Sequence, residues 1–140
     1  LFRMINDLKA KSDENLDEIK VEAGAPTVMG NTVENLKAAI SGEHYEYESM
    51  YPEFADTAES EGYTEIATRL RAISNAEAHH EERYIKLLKI LEADTVFKKQ
   101  EEVEWVCKKC GHTHVGNEAP DTCPSCGHPQ AYFELKNEEY

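Results

Sequence analysis

All four cysteines of the chain fall between positions 107 and 126, in the stretch CKKCGHTHVGNEAPDTCPSCG, where Cys107 pairs with Cys110 and Cys123 with Cys126 as two C-x-x-C units. A glycine follows each unit, Gly111 and Gly127, which lets the backbone wrap closely and aim amide groups at sulfur. Four thiolates at this spacing close a tetrahedron around zinc or a single iron, and sulfur alone does not choose between the two. His112, His114 and His128 lie beside these units, but four sulfurs already fill the tetrahedron, so the histidines read as surface residues. A module of about 40 residues has too little core to fold unaided, so its metal is expected to be part of its fold.

A second constellation lies in NAEAHHEERY, residues 75 to 84, where two adjacent histidines sit between glutamates. A helix advances about 100° per residue. With Glu77 as origin, Ile66, Leu70, Ile73, Tyr84, Leu88 and Leu91 fall within about 40° of it and His80 about 60° away, whereas His79 points about 200° round. Glu77 and His80 are therefore expected on the core face, and His79 in solvent. On the preceding helical stretch Glu43 aligns with Leu36, Met50 and Phe54, with Glu46 about 60° to one side. Glu81, about 40° from Glu77, reads as a rim charge.

A buried carboxylate is expensive unless it is paired or binds a metal, and three of them near one imidazole are explained most simply by a cation. Glu77-x-x-His80 facing carboxylates on a neighbouring helix is the arrangement by which di-iron carboxylate bundles present their ligands. A redox-inert zinc ribbon would leave such a site without an electron source, which favours iron at the cysteines.

The elements that must hold these residues follow from periodicity. Leu1, Phe2, Ile5 and Leu8 have helical spacing, with no capping residue before them, and read as the tail of a helix whose start is missing. Residues 9 to 30 are polar, end in Gly24, Pro26 and Gly30, and suit a crossover connection. Asn31 and Glu34 form a capping-box pattern that opens an amphipathic helix, which Pro52 is expected to kink before Gly62 stops it. Thr64 is the expected N-cap of a second long helix ending near Glu92. A linker over 94–102 then leads to the cysteine module, whose ends VEWVC and AYFEL are β-prone. The expected architecture is an all-α bundle portion over residues 1–95 and a small metal-bound β domain over 96–140.

Composition narrows the partners. A formal net charge of −13 with no basic stripe argues against nucleic acid, whose phosphates demand clustered Lys and Arg. No apolar run approaches the roughly 20 residues of a membrane helix, and the first residues do not read as a secretory signal, so a cytoplasmic location is expected.

The sequence resembles the rubrerythrins, proteins of anaerobes and microaerophiles that join a ferritin-like di-iron bundle to a rubredoxin-like domain. The resemblance rests on NTVENLKAAISGEHYEYESMYPEFADTAESEGY, on ISNAEAHHEERY and on WVCKKCGHTHVGNEAPDTCPSCGHPQAYFEL. It implies that Glu43, Glu46, Glu77 and His80 are di-iron ligands, that Tyr51 hydrogen-bonds beside that site, and that the four cysteines hold a rubredoxin-type iron, with zinc as a possible substitute. It further implies reduction of hydrogen peroxide to water, electrons from rubredoxin or an NAD(P)H-dependent reductase, and a homodimer or higher assembly. Rubrerythrins also carry two earlier helices with another ligand glutamate and another ExxH, so only half of the ligand set is expected in this chain. A companion N-terminal fragment or a second copy of the chain would supply the rest.

Two rival functions share these residues. A ferroxidase or iron-handling protein would use the same bundle, although the attached thiolate iron favours reduction. A zinc-ribbon interaction module on a helical hairpin would use the cysteines without redox chemistry.

Overall fold

The computed structural model describes residues 2–12, 22, 24, 27 and 29–138. The chain divides into two compact units, Leu1–Ile85 and Lys86–Tyr140.

In the first unit, helix α1 spans Phe2–Lys11 and therefore runs three residues into the expected connection, most of which lies outside the described residues. Helix α2 spans Thr32–Tyr45 and opens on the expected capping box: the Glu34 amide donates to Asn31 Oδ1 at 3.0 Å, and the Asn31 amide donates to Glu34 Oε2 at 2.8 Å. A single π-helical turn, Glu46–Met50, follows and leads directly into α3, Tyr51–Ser60. Pro52 is thus accommodated in the first turn of α3, immediately after the widened turn.

That turn corrects the expected apolar face. A π turn inserts one extra residue, so every position beyond it rotates by one place. The residues in line with Glu43 are then Tyr51 and Ala55 instead of Met50 and Phe54. Accordingly Tyr51, Ala55 and Ala58 are buried, while Phe54 is 53% exposed.

Helix α3 ends in a Schellman motif around Gly62 (φ 86°), with the Tyr63 amide donating to Ala58 O and the Gly62 amide to Glu59 O. Helix α4, Thr64–Glu92, returns along it. The first turn of α4 closes on the Tyr63 carbonyl, which accepts from the Ile66 and Ala67 amides, so Thr64 is the first helical residue and not the cap. The core of this unit is Tyr51, Ala55 and Ala58 against Ala67 and Leu70, with Met50, Ile66 and Ile73 at its edge. Arg71 spans the pair on the outside, reaching Asp56 and Glu59 at 3.0 and 2.6 Å.

The second unit holds an antiparallel sheet in the order β2-β1-β3. Strand β1 spans Lys98–Cys107, β2 Thr113–Glu118 and β3 Phe133–Leu135. Residues 98–102, expected as linker, are therefore strand. Trp105 lies opposite His114 on one side and Leu135 on the other. Trp105, Ala119 and Phe133 pack around Cys107 and Cys123. Among the described residues, two of the five in this buried cluster are cysteines, which shows how little apolar material this unit has apart from its metal-ligand side chains. Among the described residues no helix is long and apolar enough to cross a membrane.

Candidate metal centres

The two C-x-x-C units form matching knuckles. In the first, the Gly111 amide donates to Cys107 O at 2.8 Å and the Cys107 amide to His112 O at 2.9 Å; in the second, the Gly127 amide donates to Cys123 O at 2.9 Å and the Cys123 amide to His128 O at 2.8 Å. Each turn requires a left-handed residue, which Gly111 (φ 77°) and Gly127 (φ 72°) supply. The knuckles bring all four sulfurs within 4.8 Å of one another. Cys107 Sγ lies 3.8 Å from Cys126 Sγ, and Cys110 Sγ 3.7 Å from Cys123 Sγ. A tetrahedron with metal–sulfur bonds of about 2.3 Å has edges of about 3.8 Å, so the sulfurs already stand at the spacing a metal requires.

Their electrostatics agree. The His112 amide, helped by neighbouring side chains, lowers the Cys110 thiol to about 7 against the opposing effect of burial. The His128 amide acts likewise on Cys126, yet burial and the other three sulfurs push that thiol up to about 12. Cys110 thus accepts negative charge readily while Cys126 resists it, a conflict that a bound cation resolves.

The second group forms where α2 faces α4. Glu43, Glu77 and His80 bring their ligand atoms within 4.8 Å of one another. His80 Nδ1 lies 2.6 Å from Glu77 Oε2 and 3.6 Å from Glu43 Oε2. Both carboxylates are largely withdrawn from solvent, at 18% exposed for Glu43 and 13% for Glu77, while His80 is 46% exposed. His79, on the opposite side, is 68% exposed and lies 3.8 Å from Glu82. Burial raises the Glu43 carboxyl above its ordinary value, Glu77 and Glu46 add to the effect, and His80 opposes it.

Glu46 does not join the cluster of three, but its charge reaches it. Burial holds the Tyr51 phenol above its ordinary pKa, and the carboxylates of Glu46, Glu77 and Glu43 reinforce this. Tyr51 thus stands beside the group as a protonated hydroxyl.

Two relationships were not read from the sequence. Glu81, expected as a solvated rim charge, is only 18% exposed and meets His44 Nδ1 at 3.0 Å, linking α4 to α2 next to the cluster. Ser74, one turn before Glu77, is buried and donates from Oγ to the Tyr47 carbonyl at 3.0 Å. Its position on the buried face of α4 was legible from the helical period; its acceptor was not.

A helical hairpin that gathers two carboxylates and an imidazole, followed in the same chain by a four-sulfur knuckle domain, defines a ferritin-like bundle portion with a rubredoxin-like domain. The Rubrerythrin family model matches residues 1–88, and the model for the rubrerythrin rubredoxin-like domain matches residues 105–134. The chain belongs to the rubrerythrin family. It is 58% identical to a rubrerythrin-family protein of Methanocaldococcus jannaschii, with all of this chain aligned to 69% of that protein. It is 46% identical to the rubrerythrin of Porphyromonas gingivalis, over 87% of this chain and 62% of that protein. The fully reduced, all-ferrous state of nigerythrin superposes with a TM-score of 0.51 at 25% identity, over 96% of this chain and 60% of that one. The chain therefore spans about three fifths to two thirds of the length of these relatives.

Proposed function

We propose that this chain is part of a non-haem di-iron peroxidase that reduces hydrogen peroxide to water, as an NAD(P)H-linked oxidoreductase of oxidative-stress defence. The observation that carries this reading is the convergence of Glu43, Glu77 and His80 in the same chain as a four-sulfur tetrahedron: a hard oxygen and nitrogen donor set beside a soft thiolate one. Iron in these sites would supply Lewis acidity and electrons for cleaving the O–O bond, with the four-cysteine iron as a one-electron relay. Each peroxide reduced to two waters consumes two electrons and two protons, so a donor such as rubredoxin or an NAD(P)H-dependent reductase is required.

The chain's own residues divide the remaining tasks. Glu43, Glu77 and His80 would hold metal, and Glu46, whose charge acts on Glu43 and Tyr51, would be a further carboxylate donor. Tyr51 keeps its proton and offers an O–H to orient a neighbouring carboxylate. The four cysteines hold iron, with zinc as a substitute. A complete di-metal bundle takes ligands from four helices, so two further helices come from another polypeptide segment or from a second copy of the chain. Assembly as a homodimer or larger oligomer fits either source.

The test is to load the purified protein with iron, reduce it without oxygen, and follow its oxidation by hydrogen peroxide and by oxygen. Oxidation by peroxide much faster than by oxygen, coupled to thiolate-iron absorption that a reductase restores, is expected. Faster oxidation by oxygen with accumulation of ferric iron would make it a ferroxidase, and a colourless protein from its native source holding only zinc would remove the redox reading. Denaturing mass spectrometry with metal analysis identifies the origin of the other helices.

A further inference from the structure

The π turn at Glu46–Met50 leaves a hydrogen-bonding problem that one residue of α4 solves. In an α-helix the Tyr47 carbonyl would accept from the Tyr51 amide, but that amide bonds to Glu46 O. At the five-residue spacing of the π turn the next donor would be residue 52, which is proline and has no N–H. The Tyr47 carbonyl therefore lacks a main-chain donor in its own helix at either spacing. Ser74 Oγ donates to it at 3.0 Å. Ser74 is the buried polar residue of this unit among the described residues, and it lies one turn from Glu77.

The geometry points to Ser74 as a positioning residue that holds the π turn in place and thereby sets Glu46 and Tyr51, the residues at its two ends, against Glu43, Glu77 and His80. The chain of causes is short. Pro52 removes a donor, the extra residue of the turn shifts the acceptor, and the Ser74 hydroxyl supplies what both have taken away. Without it a backbone carbonyl in the helix interface is left unpaired, and the turn is free to shift or admit water. Because Glu46 starts the turn and Tyr51 follows it, any shift displaces them relative to Glu77 and His80 on α4. The Ser74 hydroxyl bonds the Tyr47 main chain, so it acts through the backbone of the facing helix.

This inference rests on reading Glu43, Glu77 and His80 as metal ligands, and two measurements separate it from that reading. The first uses the metal-free full chain: amide hydrogen exchange at Tyr51, whose N–H closes the turn on Glu46 O, is expected to rise about tenfold in Ser74→Ala and to return toward wild type in Ser74→Thr, which keeps the hydroxyl. The second is titration with Co(II) alone, with the four cysteines already filled by zinc. Ser74→Ala is expected to weaken cobalt binding by about tenfold or more, as loss of an outer support does at other metal sites, and Ser74→Thr to recover most of it. In a Pro52→Ala background, where residue 52 regains an N–H, the effect of Ser74→Ala is expected to fall by at least half.

Unchanged exchange in Ser74→Ala, or unchanged cobalt affinity in a folded variant, would overturn the role. Equal losses with and without Pro52 would overturn the proposed route through the Tyr47 carbonyl. Wild-type protein that binds no cobalt at the helical site would defeat the metal reading, and the exchange measurement alone would then judge whether Ser74 holds the turn.

Discussion

His44 and Glu81 join α2 to α4 through one contact, His44 Nδ1 to Glu81 Oε1 at 3.0 Å, and each is the immediate neighbour of a cluster residue, Glu43 and His80. The contact bridges the two helices beside the carboxylate group. His44 is 58% exposed, so the pair contributes little net stability. His44→Ala is expected to lower stability by no more than about 1 kcal/mol. It should weaken metal binding at Glu43, Glu77 and His80 by a larger factor, because the orientation of Glu81 and of both ligand-bearing turns is loosened. Thermal unfolding and a Co(II) titration on the same samples check this; a large loss of stability with unchanged affinity would contradict it.

The raised carboxyl of Glu43 gives the metal-free protein a definite pH dependence. A group whose folded pKa lies above its unfolded value contributes stability below the unfolded pKa, about 4.3 for glutamate, and loses that contribution as pH rises through the folded value. Glu43 thus disfavours the metal-free fold at neutral pH. Glu43→Gln is expected to stabilise metal-free protein at pH 7 by up to about 1 kcal/mol, with the advantage shrinking toward pH 4. The same substitution should lower metal affinity. Melts of both proteins across this range, with and without metal, test the sign.

His80 and His79 offer an internal comparison. His80→Ala removes the imidazole 2.6 Å from Glu77, whereas His79→Ala removes a side chain turned to solvent. Metal occupancy of the helical site is expected to fall about ten- to a hundredfold in affinity for the first and to stay within about twofold for the second, a contrast set by helical geometry. Equal losses would refute the assignment of faces.

Removing one sulfur should unfold a domain as well as empty a site. Cys107 is fully buried among Trp105, Cys123 and Phe133, and its partner sulfurs conflict electrostatically without a cation. Cys107→Ser is expected to abolish iron–thiolate absorption and the dispersed amide signals of β1 to β3, since structural metal binding in small domains is worth about 10 kcal/mol or more. Helical signal at 222 nm should persist. Direct peroxide oxidation of a pre-reduced helical site should also persist while reductase-coupled turnover is lost.

What the sequence by itself determined were features written in local spacing. The C-x-x-C units with their glycines dictate the knuckles, because turn conformation depends on residues a few places apart. Asn31 and Glu34 dictate the capping box for the same reason, and the 3.6-residue period of α4 places Glu77 inward and His79 outward. Tertiary structure decided the rest. Strand β2, THVGNE, carries no alternating apolar pattern; it is strand because β1 pairs with it and the Trp105 indole N–H donates to Gly116 O at 3.0 Å. Phe54 lies outward and Ala55 inward because a π turn, absent from any period count, inserts one residue after Glu43. That turn leaves the Tyr47 carbonyl to a hydroxyl from another helix, 27 residues away in sequence, and a pairing between distant residues is visible only once the chain has brought them together.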